Sequence, residues 1–259
     1  MSYEAIREQV AEANRVLAEF GLSSGAVAGH GHVSMRVPES PDRFVVKGRG
    51  AAVDVLARSR AEEMIVCDLE GYTLEAQPGF TPALEVKAHS CIYKLYPHVQ
   101  AIAHTHARFV AVMTVLGAPI RPMCQEGIGQ VSKPLPVYPH VAPVLSDEEG
   151  MEVARLLGEG TAVLLEGHGA TTVGANLEQA VMNMINLEEQ ARMTWYAYCA
   201  AGPGHRFIPD ENVAEVRNVA TANQLPHLKD VMSQRPAGRR VGGVYAYYSE
   251  LAAERARMT

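Results

Sequence analysis

The segment Ala101-Ile102-Ala103-His104-Thr105-His106 is an apolar run that ends in two histidines. Its apolar start predicts a buried strand over residues 101–106. Side chains at positions i and i+2 of a strand point to the same face, so His104 and His106 can share one metal ion. The spacing alone leaves metal binding and two unrelated histidines about equally open.

A third histidine lies in Glu166-Gly167-His168-Gly169, directly after a second predicted strand over residues 161–166. The flanking glycines give the backbone the freedom to turn His168 toward a site. Three imidazoles leave coordination positions open for substrate or water, which is typical of a catalytic metal site. The sequence therefore favours one divalent metal ion on His104, His106 and His168, with zinc, manganese, iron and cobalt all open.

Glu85 is the candidate acid/base residue. It lies four residues before His89 on a helix predicted over residues 82–96, with Thr81 as N-cap and Pro82 as the first helical residue. A metal that holds a carbonyl or hydroxyl oxygen suits C–C cleavage or proton abstraction, and both reactions need a proton carrier. By position alone, a helix-dipole acid worth ~0.3–1 kcal/mol is the stronger interpretation of Glu85.

Periodicity along the rest of the chain predicts one α/β/α-layered domain over residues 1–259, built on a mixed, mostly antiparallel sheet. No linker or internal repeat divides the chain, and residues 202–259 are less periodic than the rest. Further helices are predicted over residues 2–20, 108–116, 147–157 and 176–200, and further strands over 32–37, 44–47, 64–68, 134–138 and 170–173.

Composition excludes several classes of function. The 259 residues include 23 basic and 29 acidic side chains, which gives a net charge of −6, and 47% are hydrophobic. No dense basic cluster supports nucleic-acid binding, and no apolar stretch approaches the ~20 residues of a membrane helix. A cytoplasmic globular protein is expected, without nucleic-acid or membrane partners.

Three motifs resemble, in their order along the chain, those of the class II aldolase/adducin family over roughly residues 11–201. They are Gly31-His32-Val33-Ser34 with Arg36, the histidine pair at 104 and 106, and Gly167-His168-Gly169 followed by the Asn176 helix. The resemblance implies an α/β/α fold and a homo-oligomer, usually a fourfold ring or a dimer of rings.

The same resemblance implies roles for individual residues. A divalent metal would be held by His104, His106 and His168, and the acid/base glutamate of the family falls at Glu85. Sites in such rings lie between adjacent subunits. A neighbour's tail is therefore a candidate to complete the pocket, and it carries three tyrosines, Tyr245, Tyr247 and Tyr248.

Departures from the family pattern point to the substrate. Sugar-phosphate members hold phosphate with an asparagine, a Thr-Gly step and two serines, where this chain has His32, Lys47-Gly48 and Ala83-Leu84. His32, Lys47 and Arg49 supply cationic donors that suit a carboxylate. The predicted substrate-binding set is Lys47, Gly48, Arg49 and Ser34.

The pattern resembles the branch of the family that decarboxylates hydroxylated aromatic or heteroaromatic carboxylic acids. We therefore expect a metal-dependent lyase acting on a small carboxylated substrate, in which Glu85 protonates the ring carbon and His32 orients a carboxylate. A retro-aldol lyase on an unphosphorylated hydroxy-acid or sugar is the alternative. A noncatalytic scaffold like the adducin head is a third, against which the retained histidines and Glu85 argue.

Overall fold

The computed structural model describes residues 3–219, 224–234 and 243–257. Within these ranges nine strands form one sheet. They are β1 (His32–Val37), β2 (Ser40–Arg49), β3 (Met64–Asp68), β4 (Thr73–Glu75), β5 (Thr81–Pro82), β6 (Ala101–Thr105), β7 (Val137–Tyr138), β8 (Ala162–Leu165) and β9 (Gly169–Gly174). The α-helices are α1 (Tyr3–Glu19), α2 (Val86–Leu95), α3 (Arg108–Val115), α4 (Asp147–Leu157), α5 (Leu177–Ala201), α6 (Asp210–Arg217), α7 (Pro226–Ser233) and α8 (Val244–Arg257).

The sheet is mixed and mostly antiparallel, as predicted. Its strand order is β4-β3-β2-β1-β6-β9-β8-β7, and the short β5 pairs with β2 beside this path. All pairings are antiparallel except that of β7 with β8. Strands β1, β6 and β9 therefore lie side by side in the middle of the sheet.

Helices cover both faces of the sheet and complete the predicted α/β/α arrangement. One buried cluster joins side chains of α1, α3 and α5 to one face, with Val33, Val45 and Ala103 among its strand residues. A second cluster joins α2 and α4 to the other face through Val46 and Ile102. Neighbouring strand residues such as Val45 and Val46 belong to different clusters, because successive side chains of an extended strand point to opposite faces of the sheet.

The helix predicted over residues 82–96 begins later than predicted. Thr81 and Pro82 pair with Arg49 and Gly48 as β5, and α2 starts at Val86. Glu85 is therefore the N-cap residue and not a member of the first helical turn. A proline fits the start of a helix, but it also fits a short edge strand, and pairing with β2 decided between them here.

The less periodic tail folds against the first helix. Helix α8 packs on α1, and Tyr245 and Tyr248 contact the buried cluster on that side. Tyr248 meets the ring of Phe20 edge-on, with 5.3 Å between ring centroids. No helix in the described part of the chain is long and apolar enough to cross a membrane.

Candidate metal centre and active site

The three central strands place polar side chains in one row across the sheet. His104 on β6 is flanked by His32 on β1 and by Thr171 on β9. Residues paired across neighbouring strands share a face, so all three side chains point to the same side. His106 follows β6 two residues after His104, and His168 immediately precedes β9. The antiparallel pairing thus brings distant histidines to one end of the sheet.

Glu85, His104, His106 and His168 form the candidate metal centre. One potential ligand atom from each of the four lies within 4.8 Å of all the others. Oε2 of Glu85 is 3.5 Å from Nε2 of both His104 and His168, and Nε2 of His168 is 2.9 Å from Nε2 of His106. These separations between ligand atoms are close to those expected when each atom is bound ~2.0–2.2 Å from one shared ion.

The chemistry of these atoms fits a divalent cation. Nε2 of His104 is buried without a hydrogen-bond partner, while its Nδ1 lies 3.2 Å from the Thr171 hydroxyl. A metal ion would satisfy the orphaned Nε2, and Thr171 would fix the ring orientation as an outer partner. The three nitrogens and one carboxylate oxygen suit zinc, manganese, iron or cobalt.

Burial keeps the imidazoles of His104 and His106 in the neutral form that binds metal. Burial lowers the pKa of His104 to about 4, although the nearby Glu85 acts in the opposite direction. Burial is also the largest cause that lowers the pKa of His106 to about 3, and the neighbouring His104 is the second. Burial by itself raises the pKa of Glu85. The surrounding imidazoles, His104 foremost, outweigh it and hold that pKa well below its usual range. A carboxylate therefore faces the neutral imidazoles of His104 and His106.

A cavity of about 620 Å³ opens above the centre. Of the residues predicted for the site, His32, Lys47, Arg49, Glu85, His106 and His168 line it, and His104 lies next to them, 1% exposed. Part of the wall is apolar and consists of Ala83, Leu84, Val141 and Pro143.

Lys47 and Arg49 form a cationic end of the cavity together with Asp54. Nζ of Lys47 donates to Oδ1 of Asp54 and to the carbonyl of Gly48, the latter at 3.0 Å. Nε of Arg49 lies 3.9 Å from Oδ2 of the same aspartate. Two cations and one anion leave this end with a net positive charge.

Ser34 and Gly48 do not line this cavity. The Ser34 hydroxyl binds His89 and Tyr93 in the interior. At Gly48 a β-carbon would lie 2.2 Å from the carbonyl oxygen of Glu63, so the glycine permits a close contact between backbones. Both residues belong to the framework around the cavity in this structure, and their predicted contact with the substrate stays a prediction.

Several residues of the site had no sequence signal. Asp54 lies in an irregular loop, and His30 contacts His106 with 4.7 Å between ring centroids. Tyr93 follows His89 by one helical turn, and Thr171 lies in a plain strand. For His89 and Tyr93 one local pattern was available, because Glu85, His89 and Tyr93 follow one another at a spacing of four residues.

The fold and the cluster define an α/β/α protein with a candidate divalent-metal centre. Comparison with family models identifies it further, because residues 8–195 match the class II aldolase and adducin N-terminal domain. The match spans well over half of the 259 residues, so the chain belongs to this family.

Curated relatives include aromatic decarboxylases. The chain is 29% identical over 223 residues to the 3,4-dihydroxyphthalate decarboxylase of Arthrobacter keyseri, covering 83% of this chain and 88% of that protein. It is 30% identical over 220 residues to the enzyme of the same name from a Terrabacter strain, covering 82% and 89%. An L-ribulose-5-phosphate 4-epimerase of Salmonella paratyphi C is 24% identical over 208 residues, covering 75% and 86%. The predicted similarity to the hydroxyaryl-carboxylate decarboxylase branch is confirmed.

Solved structures agree on the fold. An aldolase II superfamily protein from Pseudomonas syringae superposes with a TM-score of 0.74 at 20% identity, covering 100% of this chain and 95% of that one. The L-fuculose 1-phosphate aldolase of Glaciozyma antarctica gives a TM-score of 0.68 at 22% identity, covering 98% and 88%. The predicted fold class is confirmed.

Proposed function

We propose that this protein is a metal-dependent lyase that decarboxylates a hydroxylated aromatic carboxylic acid. The observation that carries the proposal is a single cavity that combines a histidine–glutamate cluster, an apolar wall and a cationic end. The apolar wall suits an aromatic ring, and Lys47 and Arg49 suit a carboxylate. The 3,4-dihydroxyphthalate decarboxylases among the relatives support the same substrate class.

A divalent ion held by His104, His106 and His168 would act as a Lewis acid that stabilises negative charge on a substrate oxygen, with Glu85 a ligand only in the absence of substrate. Glu85 would carry the proton. Its Oε1 accepts a hydrogen bond of 3.2 Å from the Val144 amide, which leaves Oε2 facing the cavity. In this scheme the carboxylate takes the proton of a ring hydroxyl and returns it to the ring carbon as the bond to the carboxyl carbon breaks and carbon dioxide leaves. Solvent then reprotonates the phenolate, and the reaction consumes one proton in total.

His32 and Lys47 would position the substrate. Both side chains are buried in the cavity wall, 5% and 4% exposed. Hydrogen bonds to an ionised acceptor are worth ~1.5–3 kcal/mol each, more than bonds between neutral groups. Two such donors would hold a carboxylate and so fix the ring relative to Glu85.

The assay uses protein loaded in turn with zinc, manganese, iron(II) or cobalt, with 3,4-dihydroxyphthalate as substrate in deuterated water. We expect carbon dioxide and a dihydroxybenzoate with deuterium at the vacated ring carbon. Chelator-treated protein and Glu85→Gln should both lose turnover. Full activity after metal removal would overturn the proposal.

Aldol cleavage is the second candidate, because aldolases share the fold and the relatives include an epimerase. An aldehyde product from an unphosphorylated hydroxy-acid or sugar-acid, with no carbon dioxide from the aromatic substrate, would establish it. Metal analysis of the purified protein that finds no divalent ion would favour the third alternative, a noncatalytic scaffold.

We also propose a homo-oligomer of four or more subunits, as in other members of the family. The exposed side chains of Leu84 and Val141 at the cavity wall, 63% and 64% exposed, offer apolar surface that a neighbouring subunit would cover. Sedimentation equilibrium of the metal-loaded protein tests this, and a monomer would contradict it.

A further inference from the structure

A continuous line of hydrogen bonds runs from the cavity into the core beneath it. Nδ1 of His32 lies 2.7 Å from Nε2 of His89, and Nδ1 of His89 lies 2.6 Å from the Ser34 hydroxyl. The Ser34 hydroxyl in turn lies 2.8 Å from the Tyr93 hydroxyl. All four side chains are buried. We call these four residues the buried relay.

Strand and helix contribute alternate members of the relay. His32 and Ser34 are two apart on β1 and share a face, while His89 and Tyr93 are four apart on α2 and share another. The ring of His32 also stacks on that of His104, with 5.0 Å between centroids and 28° between planes. Packing of the helix on the sheet therefore holds the relay and limits rotation of His32.

A proton count gives the relay a direction. With both imidazoles neutral it has three hydrogen bonds and four protons, two on hydroxyls and one on each ring. Burial supports neutral rings, because His32 and His89 are 5% and 0% exposed and a charge held away from water is costly. One proton is thus left over. If Ser34 accepted from both neighbours, its own proton would be a buried donor without an acceptor among the described residues, so the spare proton lies at one end of the line.

The inner end cannot accommodate that proton well. Among the described residues, Ser34 is the hydrogen-bond partner of the Tyr93 hydroxyl, so a phenolic proton turned away from Ser34 would be a buried donor without an acceptor. At the outer end His32 lines the cavity, and its Nε2 makes no hydrogen bond within the described protein. Water or substrate can accept a proton there at no such cost.

We propose that Tyr93, Ser34 and His89 are positioning residues that hold His32 in the tautomer whose Nε2–H points into the cavity. Tyr93 donates to Ser34, Ser34 donates to Nδ1 of His89, and Nε2–H of His89 donates to Nδ1 of His32. Nε2 of His32 then always donates a hydrogen bond into the cavity, which favours a substrate whose group beside it only accepts hydrogen bonds. The identification of this acceptor as a substrate carboxylate rests on the proposed function, whereas the tautomer does not.

The tautomer is measured directly in zinc-loaded protein labelled with ¹⁵N at histidine. Long-range ¹H–¹⁵N correlation separates protonated from bare ring nitrogens, and the signals of His32 among the ten histidines are those lost in His32→Asn. We expect a protonated Nε2 and a bare Nδ1 without any substrate present. A protonated Nδ1 on His32 overturns the proposal, whether or not the protein is a decarboxylase.

Removal of one relay hydroxyl tests the coupling. In Ser34→Ala the donor to His89 is lost, so both tautomers of His32 become populated. KM for 3,4-dihydroxyphthalate should then rise by the inverse of the competent fraction, about twofold at equal populations, with a smaller change in kcat. Ser34→Thr restores the hydroxyl and should restore the single tautomer. A Ser34→Ala spectrum unchanged at His32 would show that the relay does not set its tautomer.

Ser90→Ala is the matched control. Ser90 neighbours His89 on α2 and is equally buried, but its hydroxyl donates to the Lys87 carbonyl at 3.4 Å and to no member of the relay among the described residues. It should leave both the tautomer and KM unchanged. If Ser90→Ala shifted both as strongly as Ser34→Ala does, general loosening of the helix would replace the relay as the explanation.

Discussion

At the residue scale, the candidate metal centre depends on imidazole nitrogens that the surrounding strands orient. Nε2 of His104 is buried and has no hydrogen-bond partner, which is costly unless an ion occupies the site. The flanking Thr171 and the stacked His32 leave that ring little freedom. His104 is therefore the ligand whose loss should matter most.

We expect His104→Asn to bind zinc at least ~10–100-fold more weakly than the wild type, the loss typical of even an outer partner of a ligand. Isothermal titration calorimetry measures the affinity, and elemental analysis gives the stoichiometry. His98→Asn, at an exposed position, is the control. Unchanged zinc affinity in His104→Asn would remove this residue from the centre.

Lys47 is the second residue whose role can be measured. Its ammonium is buried beside Asp54 at the cationic end of the cavity. Lys47→Met should raise KM for a dicarboxylate by about 10–100-fold, the equivalent of one charge-assisted hydrogen bond. Steady-state kinetics with Lys133→Met, an exposed site, gives the comparison. An equal KM in both variants would place the carboxylate elsewhere.

At the element scale, Arg36 ties β1 to the end of α2. Its guanidinium donates to the carbonyls of Val99, Tyr93 and Tyr96 at 3.0, 2.8 and 3.3 Å, and it lies over the Tyr93 ring. An ammonium cannot reproduce this planar fork of donors. The contact fixes α2, and with it His89, relative to the sheet.

Arg36→Lys should therefore lower the free energy of unfolding by about 1–3 kcal/mol, because buried carbonyls lose their donors. Urea unfolding measures the change. Arg43→Lys on β2, where the side chain is 41% exposed, should change stability much less. Equal stability of Arg36→Lys and wild type would show that water or a shifted lysine satisfies these carbonyls.

Gly48 acts at the same scale, because it lets β2 approach the carbonyl of Glu63. Gly48→Ala should cost about 1–3 kcal/mol or more of stability through overpacking against backbone. Gly204→Ala, where a β-carbon meets nothing within 4 Å, is the control in the same urea experiment. Unchanged stability with a higher KM would instead support the direct substrate contact first predicted for Gly48.

At the scale of the whole molecule, one sheet carries both buried clusters, so we propose that the chain unfolds as one domain. Loss of either helical layer would expose a face of the same nine strands. Urea unfolding followed by the fluorescence of the single tryptophan, Trp195, should coincide with that followed by circular dichroism. Two separated transitions would contradict a single unit.

Local patterns were sufficient to predict most helices and strands and to single out the candidate ligands. Helix α4 has the predicted bounds, because a serine cap, an acidic first turn and a terminal glycine are all local signals. The His104/His106 pair and the glycine-flanked His168 were recognised because their spacing is itself a chemical constraint. The start of α2 was not predicted correctly. Pro82 suggested the first residue of a helix, but Thr81 and Pro82 pair instead with the distant strand β2.

Only the tertiary structure decided which residues meet. The antiparallel register sets His32, His104 and Thr171 in one row, and no local pattern encodes which strands become neighbours. The inward turn of Ser34 follows equally from packing of α2 on β1. Residue type and short spacing, which act along the chain, thus specified the candidate metal ligands. Long-range strand pairing and helix packing determined which side chains face the cavity and which support it from below.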